Sequence, residues 1–170
     1  GGAGRYWVAD VAAATGTGRH AGWSLVVVTR AAAQPLRTVM VLDGFLAVAD
    51  LPASIEVAVR RPNTALPAHL GLVAYEGDWG LVGDGVSCAD GTALSDAANP
   101  ADDVMNSTVS RDGQLVTGRA PADANTLGLD VDEIPLPASC LRTDGGPQRY
   151  SFSTANEEYL VGLVTLSVGR

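Results

Sequence analysis

Apolar residues in this chain occur in strict alternation or in short runs closed off by glycine and aspartate, and no long stretch carries a stripe at helical spacing. That pattern confines the fold to strands joined by turns. Residues 55–59 show it most cleanly. Ile55, Val57 and Val59 share one face while Glu56 and Ala58 share the other, so one side of this strand should be wet. Further strands are expected at residues 6–11, 23–29, 36–42, 70–75, 127–131, 148–153 and 159–168. Trp23 sits at the head of the second of these and is expected in the core. Asp-Gly recurs at Asp43-Gly44, Asp84-Gly85, Asp90-Gly91, Asp112-Gly113 and Asp144-Gly145, a dipeptide suited to turns whose residues need positive φ. The one helical expectation is a single turn near Asn99 and Pro100. The fold class that follows is all-β, an antiparallel, jelly-roll-like β-sandwich with long Asp/Gly-rich loops. A chain of 170 residues needs one core, so residues 1–170 are expected to form a single domain.

Charge narrows the partners. Nineteen Asp and Glu against 11 Lys and Arg give a net charge of −8, a field that repels phosphate backbones and anionic headgroups. All the basic residues are arginine. Without lysine, no Schiff base, phosphate-loop lysine or lysine–asparagine crosslink can form within the chain. No apolar run is long enough for a membrane-spanning helix. Cys88 and Cys140 are either a disulfide or two free thiols. Both lie in polar, turn-rich sequence, which favours the disulfide, and a disulfide in turn fits an extracellular compartment.

Residues 76–128 are rich in Gly, Asp, Asn and Ser and poor in periodicity, which marks them as the place to look for function. Calcium takes six to eight oxygens, and such loops can converge them. The candidate ligands are Glu76, Asp78, Asp84, Asp96, Asn99 and Asp102, although no EF-hand or glycine-rich repeat is present. Trp79, beside Glu76 and Asp78, could stack on a sugar ring or plug the base of its loop. The adjacent pairs Asp132-Glu133 and Glu157-Glu158 read as solvated turn carboxylates rather than a glycosidase dyad. His20 and His69 read as structural, since no nucleophile elbow accompanies them. Asn106-Ser107-Thr108 is formally a glycosylation sequon.

Several segments together resemble an uncharacterised domain that recurs in large exported, adhesin-like surface proteins of actinobacteria. They are residues 21–28 (AGWSLVVV), 36–45 (LRTVMVLDGF), 73–78 (VAYEGD), 94–100 (LSDAANP) and Asn106-Ser107-Thr108. The resemblance implies a secreted β-sandwich with further strands ahead of Tyr6, so the chain is expected to begin partway through that domain. It brings no catalytic residues. The expected function is therefore an extracellular structural or adhesive module, a fibre or assembly component that meets other surface domains or copies of itself. A carbohydrate-binding module using Trp79 is the alternative, and a glycoside hydrolase or lyase fragment comes third.

Overall fold

A computed structural model describes residues 4–16, 19, 21–59 and 62–170. The chain divides into two compact units, Gly1–Gln34 and Pro35–Arg170. In the first, the described residues form neither strand nor helix, so the strands expected at 6–11 and 23–29 are absent. Trp23 is 56% exposed, which corrects its expected place in the core. An apolar run becomes a strand only when a neighbouring strand takes up its N–H and C=O groups, and neither segment enters the strand order of either sheet. His20 lies outside the described residues.

The second unit is an all-β sandwich of two sheets. Its strands are β1 (Arg37–Val48), β2 (Ala53–Val57), β3 (Ala68–Tyr75), β4 (Gly85–Cys88), β5 (Val109–Arg111), β6 (Gln114–Leu115), β7 (Leu129–Leu136), β8 (Gln148–Ser153) and β9 (Tyr159–Gly169). The larger sheet runs β1-β9-β3-β7-β5-β6 and the smaller β2-β8-β4. Every pairing is antiparallel except that of β5 with β7. Inward side chains of both sheets form one core that includes Leu70, Leu72, Val86, Ile134, Tyr150, Phe152 and Leu166. In β2 the expected alternation holds: Val57 is buried and Ile55 half-buried, while Ser54 and Glu56 are exposed.

Cys88, at the end of β4, is bonded to Cys140 in the 3-10 turn after β7, with Cα atoms 5.4 Å apart. The bond ties an edge of the small sheet to the chain leaving the large one. Closing a loop with a sequence separation of 52 stabilises the fold by about 4 kcal/mol on the chain-entropy argument.

The Asp-Gly dipeptides divide in two. Asp112 (φ 50°) and Gly113 (φ 74°) make the tight hairpin between β5 and β6, as such a pair should. Asp84 and Gly85 do not turn. Gly85 opens β4, and Asp84 is 1% exposed with its carboxylate turned inward. Asp43 and Gly44 fall within β1, where the register with β9 shifts. Around Pro100 the chain makes a turn and no helix.

Candidate functional site

The alternation of β7 places Asp130, Asp132, Ile134 and Leu136 on one inward face. The first two are carboxylates, 0% and 3% exposed, and they form the floor beneath the loop of residues 89–108. Asp130 Oδ1 accepts the Thr108 N–H at 3.1 Å, and Asp132 Oδ1 accepts the Ser110 hydroxyl at 2.7 Å. From the other side Asp84 Oδ1 accepts the N–H groups of Val104 and Met105, both at 2.8 Å. Ser107, in the left-handed region at φ 58°, donates its hydroxyl to the Gly77 carbonyl and accepts the Gly128 N–H at 2.9 Å. Loop backbone donors are thus taken up by side chains, as a buried irregular segment requires.

Two pockets of unsatisfied oxygen remain. In the first, Asp84 Oδ2, Asp103 Oδ1, Asp130 Oδ2 and Glu157 Oε1 find no donor among the described residues. Glu157 Oε2 accepts the Asp78 N–H at 3.1 Å, which fixes the carboxylate in place. Asp84 and Glu157 lie within hydrogen-bonding reach of each other, yet two ionised carboxylates have no hydrogen to share. In the second pocket, Asp96 Oδ2, Asn99 Oδ1 and Asp132 Oδ2 are the orphans. Here the Asn99 amide donates to Asp96 Oδ1 at 2.9 Å and to the Ser110 hydroxyl at 2.8 Å.

The electrostatics follow from burial without counter-charge. Desolvation, and then the neighbouring Asp132 charge, push Asp130 up to about 8; desolvation raises Asp132 to about 7. Glu157 rises to about 8, first by desolvation and then through Asp84, and burial raises Asp84 as well. The ion pairs among the described residues are His69–Asp112, Arg111–Asp112, Arg111–Glu133 and Arg142–Asp144, and none reaches the cluster.

Of the six ligands expected from sequence, the structure brings Asp84 into the first pocket and Asp96 with Asn99 into the second. Asp78 takes part through its backbone N–H, and its own side chain is exposed. Asp102 is exposed and acts on the neighbouring Asp103 by charge alone. Glu76 is half-buried at φ 75° in the turn leaving β3. Asp130, Asp132 and Glu157 were not foreseen. The expectation that Asp132 and Glu157 are solvated turn carboxylates is corrected, since the first is a buried strand residue and the second is drawn inward by the Asp78 N–H. The phase that β7 shares with Ile134 and Leu136 was the available signal for Asp130 and Asp132.

Among the described residues, no three carboxylates bring oxygens within 4.8 Å of one another. The one metal-like trio, Cys88, Asp90 and Cys140, contains the disulfide sulfurs and so offers no thiolate. Asn106, Ser107 and Thr108 are buried, and both Asn106 amide hydrogens are engaged, with the Ala98 and Asp103 carbonyls.

A groove of about 640 Å³ opens beside the cluster, lined by Trp79, Pro100, Asp103, Asn106, Gln114 and Leu115 among others. Trp79 is 55% exposed. Glu76 and Asp78 do not line this groove. Comparison with protein-family models, with curated proteins and with solved structures gave no match.

Proposed function

We propose that the chain is an extracellular structural or adhesive module of a surface protein, which assembles with other domains or with copies of itself by strand addition. The observation that carries this reading is β1. It is 12 residues long, and among the described residues its one strand partner is β9. Val39 and Val41 on its outer side are 42% and 45% exposed. A long edge with apolar side chains and unpaired N–H and C=O groups is a template for another strand. The disulfide fits an oxidising compartment, and the net charge of −8 disfavours nucleic acid and anionic lipid as partners. Sedimentation of the purified chain over a wide concentration range tests the reading. Association that Val41→Lys abolishes supports it; a monomer throughout, together with protection from added protease on intact producing cells, overturns it.

A second reading rests on the Trp79 groove. An exposed indole in a cleft that Asp103 and Gln114 also line suits a sugar ring, with stacking from the indole and hydrogen bonds from the polar side chains. Trp79→Ala should then remove retention on a glycan array while leaving the melting temperature unchanged.

A further inference from the structure

We propose that the chain binds a calcium ion between Asp84 and Glu157, with Asp130 supplying the third negative charge. The inference is independent of the function proposed above. Both carboxylates are anchored through one oxygen by backbone N–H groups. Asp84 is 1% exposed, its Oδ1 is taken up by the Val104 and Met105 N–H groups, its Oδ2 has no donor among the described residues, and its carboxyl group lies within hydrogen-bonding reach of Glu157. Glu157 spends Oε2 on the Asp78 N–H and leaves Oε1 likewise without a donor, with its carboxyl group in reach of Asp84.

Asp130 adds an observation from a different element. It is 0% exposed, and its Oδ2 also lacks a donor. A Cβ on Gly77 would fall 2.2 Å from that oxygen and 2.3 Å from the Met105 carbonyl oxygen, so glycine alone lets the two approach here. The donorless oxygens of Asp84, Glu157 and Asp130 thus belong to three separate segments, and no ion pair among the described residues compensates them. Burying such charges unpaired is costly enough that a proton or a metal must enter.

The donor set selects the metal. Every group is oxygen, with carboxylates, a carbonyl and partial access to water through the half-exposed Glu157 and Asp103. Among the described residues no histidine joins these carboxylates in a ligand group, and both cysteines are in the disulfide, so neither nitrogen nor thiolate is offered to favour zinc. The ligands come from loops and are irregularly placed, which suits calcium's flexible shell better than magnesium's strict octahedron. Since only two carboxylates lie within reach of each other, the rest of the shell must be carbonyl and water. The expected dissociation constant is on the order of 10⁻⁴–10⁻³ M, as in extracellular calcium modules.

Thermal melting of the non-reduced chain in chelator, in a few millimolar calcium and in magnesium at equal ionic strength tests the proposal. Calcium should raise the midpoint by several degrees and magnesium by much less, because a ligand bound only by the folded state must stabilise it. Glu157→Gln and Asp84→Asn should abolish the calcium shift, and each should melt in chelator at or above the wild-type temperature. In both variants the new amide keeps the existing backbone bond and offers a hydrogen to the facing carboxylate. Titration calorimetry with calcium chloride should show one site in the wild type and none in either variant. The proposal fails if calcium leaves the wild-type midpoint unmoved, if magnesium matches calcium, or if both variants keep the shift. A wild type unmoved by calcium alongside a stabilised Glu157→Gln would mean that the pair holds a proton instead.

Discussion

Strand β7 passes through two interiors of opposite chemistry. Ile134 and Leu136 enter the aliphatic core, whereas Asp130 and Asp132, on the same face of the same strand, enter a cluster of carboxylates and backbone amides. Burial is nearly complete in both halves. The demands on neighbours differ. Ile134 needs only to be surrounded, and the two sheets supply that wherever their inner faces meet. Asp130 needs donors at particular points, so it orders the loop that brings the Thr108 N–H. The apolar half therefore holds sheet to sheet, and the polar half holds loop to sheet.

The largest expected effect lies in the apolar half. Ile134→Ala should cost roughly 2–5 kcal/mol in urea denaturation, through lost burial and the cavity left behind. The calcium response should survive in this variant, because no group of the cluster is altered. A cost below about 1 kcal/mol would show that the core closes over the gap, and the contrast between the halves would lose its energetic basis.

Next in size is the pH response of the polar half. In chelator, Asp132 gains charge near pH 7 and Asp130 and Glu157 near pH 8, well above the values they take when unfolded. Across that range the folded chain holds protons that the unfolded chain has released, so stability falls as pH rises and is greater on the acid side. Ordinary carboxylates do not titrate from about pH 7 to 9, which isolates the buried ones. Asp130→Asn keeps the acceptor for the Thr108 N–H and removes the charge. It should flatten the decline and gain on the order of 1 kcal/mol at pH 9, read from urea midpoints. A wild-type chain whose stability rises over this range would contradict the burial of unpaired carboxylates.

The two halves were unequally legible in the sequence. Residues 148–153 match β8 end to end, and the alternation in β2 reads correctly, because apolar periodicity reports a two-sided sheet directly. Asp112-Gly113 announced its hairpin through its need for positive φ. Asp130 and Asp132 were missed because aspartate in a Gly-rich stretch reads as turn chemistry, and only their phase with Ile134 argued otherwise. Glu157 could not be read at all, since the Asp78 N–H that draws it inward is 79 residues away in sequence. The apolar run at 23–29 misled for the converse reason: hydrophobicity suggests a strand, but pairing makes one.

The smallest effect sharpens the comparison from the outer face of the same strand. Glu133 lies between Asp132 and Ile134 and points outward, where the Arg111 guanidinium stands 3.1 Å from its carboxylate. The arginine is 67% exposed and the glutamate 37%, so water already solvates both charges and the pair contributes little. Glu133→Gln should therefore change the urea midpoint by less than about 0.5 kcal/mol equivalent, leaving both the pH slope and the calcium shift as they were. A carboxylate one position from Asp132 would then be inert where Asp130 is not. Pleat direction, rather than acidity of the segment, would be what gives the cluster its properties.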